Sequence, residues 1–326
     1  MASMITMFLQ SAYSMIDGLF VSNLIGDTAL SAVNVAWPVI AVVTAIGTGV
    51  GCGGAVMMST KQGEGKNEES NIVRANVILA LLASSIVVTI LFLILLTPLL
   101  KLMGAEGELL RLSQIYGRVM LTGGVLQILS CGLTPLLRND NRAVSAMMIM
   151  VGGLFVNLGL DFVFMYVFHM GIGGAAGASL CAQLFTTLCC LIILGTKKTD
   201  PIRFSQFKIR KECWKKIFKT AVSPFGISLT PSLLILYHNV ACLKFGGDLA
   251  VNAYALISST VGSYRVLLIG VAEGIQPLAS YAYGAHDFHA IRKIRNKAVI
   301  TAMGVSFFLF IFTIATARFY PAIYGY

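Results

Sequence analysis

Two aspartates of this 326-residue chain lie where a carboxylate is expensive. Asp17 interrupts an otherwise charge-free stretch over residues 1–24, and Asp161 separates the charge-free runs 143–160 and 162–196. Ionisable side chains inside apolar segments of membrane length mark ion or substrate pathways, because a lone charge in hydrocarbon is costly. Asn157 precedes Asp161 by one helical turn, so the two share a helix face. Each Asp is seven residues from the outer end of its segment, which is about 10 Å along a helix axis. Ser179 and Tyr116 enter the outer half at comparable depth on two further segments. A pair of carboxylates in one poorly hydrated cavity could take up a proton, hold Na⁺ with amide and hydroxyl oxygens completing the shell, or bind an organic cation. Mutually exclusive occupancy by proton and cation is the physical core of antiport. The expected coupling and substrate site is therefore Asp17, Asp161, Asn157, Tyr116 and Ser179, with Na⁺, where it is the ion, at Asp17, Asn157 and Asp161. A purely structural reading gives Ser179 a bond to its own helix, Tyr116 a place at the interface and Asn157 a role in joining helices.

A second polar group, Arg265, Glu273 and Gln276, lies in the run 249–283 just before Pro277. Eight residues put Arg265 and Glu273 about 12 Å apart along the axis, too far to touch without a bridging neighbour. These three are expected either to line a cavity wall or to form a structural network. No H-E-x-x-H, G-x-S-x-G or Walker A pattern appears. The cluster Gly47–Gly54 (GTGVGCGG) superficially resembles a dinucleotide loop, but it lies inside an apolar run with no strand before it. Close helix packing is its expected role. The chain is expected to be no enzyme and to need no cofactor beyond a coupling ion, H⁺ or Na⁺.

The elements that must position these residues follow from composition. Hydrophobic residues make up 57% of the chain and charged ones 12%, about half the share in a soluble domain. The mean hydropathy is +0.82. Charge-free stretches of about 20 residues or more predict membrane-spanning helices over 1–24, 29–58, 73–100, 113–137, 143–168, 174–196, 217–243, 249–283 and 297–320. These runs are too long for barrel strands, so the fold class is all-α, a polytopic membrane bundle. The seven Cys show no metal-ligand spacing and read as small buried hydrophobes. The first helix lacks a basic flank and a cleavage site, and is expected to stay with the protein.

The net charge of +10 is a topology signal rather than a nucleic-acid footprint. Segments 59–74, 138–142, 197–219 and 284–297 hold 18 of the 24 Lys and Arg, whereas the alternate connections hold four. The bias puts the first set, and the N-terminus with it, on the cytoplasmic side of the membrane. Anionic lipid headgroups are their expected partners. Nucleic acid is excluded, and a monomer is expected.

A shift of 221 residues superimposes 26–74 on 247–295 with ten identities, among them Gly49/Gly270, Gly53/Gly274, Ser59/Ser280, Gly63/Gly284 and Arg74/Arg295. Six spans separate the copies, so both run in one direction, the parallel kind of transporter repeat. The expected organisation is a six-helix lobe over 1–196, a basic linker over 197–216, and an incomplete lobe of three helices over 217–326. About nine of twelve helices are then present, and the chain is expected to be truncated at its C-terminal end.

These residues carry a family resemblance. Ile16-Asp17-Gly18-Leu19-Phe20-Val21 leading to Gly26-Asp27-Thr28-Ala29-Leu30-Ser31-Ala32, Asn157-x-x-x-Asp161 followed by Gly171-Ile172-Gly173-Gly174-Ala175-Ala176-Gly177-Ala178, and Gly274-Ile275-Gln276-Pro277-Leu278 with Tyr283-Gly284-Ala285 together resemble the MATE (multidrug and toxic compound extrusion) family, in its bacterial drug-efflux branch. The resemblance implies two six-helix lobes around a cavity open to one side at a time, exporting amphiphilic or cationic compounds in exchange for H⁺ or Na⁺. It places Asp17 at the family's first-helix acid and Asn157 and Asp161 at its fifth-helix pair. Tyr116 and Ser179 fall at the associated positions, with Ser where Thr is usual. The acid that some members carry on the seventh helix is absent from 224–240, which argues against a second-lobe Na⁺ site. The rival functions are a lipid-linked precursor flippase of similar architecture, which needs a cation-rich cavity where only Arg118 and Arg265 are available, and a non-transporting receptor or scaffold.

Overall fold

Lipid offers the backbone no hydrogen-bond partners, so a spanning segment must satisfy its own. The computed structural model describes residues 27–196 and 206–316, and every regular element among them is helical. The order is α1 (Asp27–Gly63), α2 (Asn67–Leu102), α3 (Gly107–Thr122), α4 (Gly124–Asn139), α5 (Ala143–Asp161) running into a π-helical turn (Phe162–Val167), α6 (Gly171–Gly195), α7 (Lys211–Gly284) and α8 (Phe288–Thr316). Helices α1, α2, α5 with its π turn, α6 and α8 are each long and apolar enough to cross a membrane, and α3 with α4, bent at their junction, is long and apolar enough as a pair. The predicted span over 1–24, and Asp17 within it, lie outside the described residues.

Three predicted spans differ from what is found. The run 113–137, expected as one straight helix, breaks at Gly123 and bends by 58° between α3 and α4. Neither glycine at the break has room for a side chain: a Cβ would collide with Leu180 at Gly123 and with the Thr89 hydroxyl at Gly124. The Gln127 amide donates to the Met120 carbonyl at 2.6 Å, satisfying an acceptor at the break. The runs 217–243 and 249–283, expected as separate helices, are one continuous helical stretch of 74 residues. A straight helix of that length would extend about 110 Å. Yet Ala221 and Phe225 pack on Gly49 and Gly53, while Tyr281 and Gly284 pack on Gly63 and Thr60 of the same helix α1. Helix α7 therefore doubles back between Phe225 and Pro277, making two limbs.

The centre of the bundle is α1. Its glycines at i and i+4 serve two neighbours: Gly47 and Gly51 meet Ile128 and Gly132 of α4, and Gly49 and Gly53 meet the first limb of α7. Gly54 meets Val77 of α2. Around these contacts Ala36, Val43 and Met58 of α1 are buried with Leu81, Leu121, Ile128, Leu133 and Leu137. The opposite face of α2 exposes Ile86, Val87, Ile90 and Ile94, and α8 exposes Phe307, Phe308, Ile311 and Ile314, the surface a lipid solvent requires.

The repeat is visible in the backbone. Helix α1 ends at Gly63 and α2 begins at Asn67; α7 ends at Gly284 and α8 begins at Phe288, each boundary displaced by the same 221 residues. Gly65 (φ +74°) closes the first turn and His286 (φ +56°) the second, so both copies use the left-handed conformation at one equivalent position.

Candidate functional site

Asp161 is the last α-helical residue of α5 and has no solvent exposure; Asn157, one turn earlier, is 5% exposed. The Asn157 amide donates to the Asp161 carboxylate at 3.0 Å. The expected i, i+4 pair is thus formed, at the point where the helix widens from α to π. A π turn inserts a residue into the helical ladder and is frequently found at functional sites. Beyond it His169 takes φ +50° and Gly171 φ +60°, and the chain reverses into α6.

The structure builds the neighbourhood of this pair from the helices that carry Tyr116 and Ser179. Tyr116 is buried on α3, and its neighbour Ile115 meets α6 at Gly173. Phe164, in the π turn, packs on Gly174 and Gly177 of α6. The glycine-rich start of α6 lies between the helix of Tyr116 and the π turn after Asp161, and the approach is tight at Gly174, where a Cβ would stand 3.2–3.3 Å from Phe164. Ser179, two residues beyond Gly177, is half-buried. Asn157 and Asp161 are joined directly, Tyr116 and Ser179 lie on the flanking helices, and Asp17 falls outside the described residues. Among the described residues there is no cluster of three or more His, Cys, Asp and Glu arranged for a metal ion.

Glu273, expected in a cavity wall or a network near Arg265, has a different partner. Its carboxylate accepts from Arg138 Nη1 at 2.7 Å, with the two side chains 19% and 7% exposed. Arg265 is exposed, eight residues away on the same limb of α7. Gln276 is half-buried, with its side chain against the Cys52 thiol of α1. Arg138, one of the basic residues of segment 138–142, is not free to meet a headgroup: it belongs to the buried end of α4.

Arg74 and Asp140 are likewise buried at this end. Asp140 accepts from Arg74 at 3.3 Å and from Gln62 at 3.0 Å, and Arg142 stands 4.0 Å away. Arg74 also donates to Asn71 at 2.6 Å. The Arg74 and Asp140 side chains are 1% and 0% exposed, so α1, α2 and α4 are tied together by buried charge at the basic end of the bundle. The signal available in sequence was the short turn R-N-D-N-R, too brief to hydrate three charges at once.

At that same end the Glu64 carboxyl, in the α1–α2 turn, is held below the usual carboxylate range by hydrogen bonds first from Lys61 and then from Lys66, at 2.8 and 3.0 Å. A cavity of about 480 Å³ opens between Gly63, Glu64 and Lys66 of this turn and Gly284, Ala285 and His286 of its repeat equivalent.

Comparison with known proteins follows the same lines. The MatE family profile matches residues 2–163 and 227–326. The multidrug export protein MepA of Staphylococcus aureus (strain NCTC 8325 / PS 47) is 26% identical over 306 residues, covering 93% of this chain and 67% of that protein. MepA of Staphylococcus saprophyticus is 25% identical over 282 residues, covering 86% of this chain and 62% of its own length. Among solved structures, a MOP superfamily transporter from Pyrococcus furiosus superposes with a TM-score of 0.94 at 26% identity, over all of this chain and 72% of its own. An outward-facing multidrug resistance MATE family transporter does so with 0.93 at 25% identity, again over all of this chain and 72% of its own. The chain spans about two thirds of the length of the curated relatives it matches.

Proposed function

This chain belongs to the MatE family, and from that premise we propose that it is a secondary active exporter of small organic compounds, a multi-pass membrane protein that moves its substrate unchanged. The substrates are amphiphilic or cationic, and export runs by alternating access between two lobes, 1–196 and 217–326, joined by the linker 197–216. The basic end faces the cytoplasm of a bacterial cell, and coupling is to H⁺ or Na⁺. The protein works as a monomer.

The observation that carries this reading is the buried Asn157–Asp161 pair at the α-to-π junction. An ionised Asp161 accepts the Asn157 N–H. A proton or Na⁺ arriving at the carboxylate competes with that bond and removes the charge that held it. The helix end then gains a second favourable arrangement, and a π turn is a place where a ladder can change register without unfolding. Occupancy by the ion is thereby linked to how α5 packs on α6, and so to which side of the cavity is open. Asp17, as the second carboxylate, would complete the site.

The test is efflux of a fluorescent organic cation by the full-length protein carrying Asp161→Asn or Asp17→Asn. Export is expected to fall to the level of cells lacking the transporter, and wild-type efflux in both variants would sink the site. Dissipating the proton gradient and the sodium gradient separately then identifies the ion. Export that survives the loss of both would refute secondary coupling.

A further inference from the structure

We propose that Arg138 and Glu273 are a gating pair for transport: they hold α4 of the first lobe to the second limb of α7 at the basic end and part each time that end opens. The inference rests on the alternating-access reading above and names the residues that make its inward gate.

The pair spans 135 residues of sequence and joins α4 to the second limb of α7 at 2.7 Å, largely out of water. It sits in a seam whose other contacts likewise join α1 and α4 to the second limb of α7. The Ser59 hydroxyl donates to the Pro277 carbonyl at 3.1 Å, and the Ser280 hydroxyl, bonded within its own helix to the Gln276 carbonyl at 2.7 Å, also lies 3.4 Å from Asn139 Oδ1. Gly63 and Gly284 bring α1 and α7 into backbone contact, each against the other's last turn. Cys52 lies beside Glu273 and Gln276.

Cys52 and Glu273, Ser59 and Ser280, Gly63 and Gly284 are three pairs of repeat-equivalent positions. The seam therefore follows the local axis relating the copies, and separating them releases every one of these contacts at once. An apolar seam of this size would resist opening, because each part of it would meet water. A buried ion pair behaves differently: its attraction in the closed state is offset by desolvation, and both charges regain hydration when the seam parts. Specificity for one closed register is kept while the cost of opening stays small. Of the two equivalent positions only Glu273 carries charge, so a single pair is made.

The test uses the full-length protein with Cys52 as its only cysteine, in vesicles that expose the basic end to a membrane-impermeant maleimide. Glu273→Gln and Arg138→Gln are expected to raise the labelling rate of Cys52 about tenfold or more and to slow export of a fluorescent cation. The charge swap Arg138→Glu with Glu273→Arg is expected to restore both toward wild type. Wild-type labelling in folded Glu273→Gln protein, or a swap no better than the single variants, overturns the proposal. Should the single variants fail to fold, Ser59→Cys with Ser280→Cys in a cysteine-free background decides. Cross-linking these must stop export and reduction must restore it, whereas turnover through the cross-link overturns the gate. Absence of export by wild type alongside increased labelling in Glu273→Gln would refute the transport reading and leave the latch standing.

Discussion

Replacing Asp140 by Asn should be among the most damaging single changes outside the transport site. Asp140 collects three donors from three directions, Arg74, Gln62 and Arg142. The Gln62 bond is a buried amide-to-carboxylate contact whose loss costs about 1–3 kcal/mol at most. Arg142, at 4.0 Å and 25% exposed, adds little. Arg74 decides the outcome, because its side chain is 1% exposed and removal of its counter-charge leaves a guanidinium stranded in the bundle. Breaking a buried pair from one side costs about 3–5 kcal/mol. At roughly 2–4 °C per kcal/mol for a large domain, the apparent melting temperature should drop by about 6–20 °C. The assay is loss of the monodisperse peak in fluorescence-detected size exclusion after brief heating of detergent-solubilised protein. The double variant Arg74→Met with Asp140→Leu removes both charges and should recover most of the loss, since apolar replacement of a buried pair is often neutral. Glu108→Gln, which breaks a fully solvated pair with Arg111, is the control and should not move the melt. An Asp140→Asn melt within about 2 °C of wild type, or a double variant worse than the single, would refute the reasoning.

Other positions give sharper contrasts between neighbours. Gly51→Val drives a side chain into the Gly132 backbone and should destabilise by about 1–3 kcal/mol or more, whereas Gly226→Ala, with open space around it, should be neutral or stabilising by up to about 1 kcal/mol; the same melting assay compares them. Gln127→Leu leaves the Met120 carbonyl unsatisfied at the α3–α4 break and should cost about 1–3 kcal/mol, with local hydrogen exchange rising around Gly123 if the break loosens. Glu64 has a lowered folded-state pKa, so its contribution is complete above the usual carboxylate range and is lost as pH falls through the lowered value. Exchange in the turn 63–67, corrected for intrinsic rate, should be flat from about pH 7 to 5 and rise only in stronger acid, and Glu64→Gln should show the acid behaviour at neutral pH.

Much of the architecture was legible because lipid leaves a strong imprint on composition. Charge-free runs located the spans, and the offset of 221 residues located two turns that the structure closes in the same way. Asn157 and Asp161 were legible as a pair because i, i+4 spacing is a property of the helix alone. The break at Gly123 was not, since a uniformly apolar run carries no phase and two adjacent glycines also read as helix packing. The π turn after Asp161 was invisible for the same reason: where every residue is apolar, a change of ladder from i+4 to i+5 alters no pattern. Lateral pairing was the remaining blind spot. Spacing along the chain gave the axial separation of Arg265 from Glu273, but nothing in it placed Arg138 across the seam.

That blind spot bears on how charge was counted. Arg74 and Arg138 both fall in the basic segments that set the orientation, yet both are buried in ion pairs. Removing them from the basic set leaves 16 Lys and Arg against four on the alternate connections. The orientation argument survives, because it rests chiefly on the linker 197–219 and the segment 284–297, which hold 13 of them. The two arginines that topology arithmetic cannot use are the ones the structure uses, one to brace α1, α2 and α4 and the other to close the seam. A basic residue in a turn of five, next to an acid, is better read first as a partner and only then as a vote on sidedness.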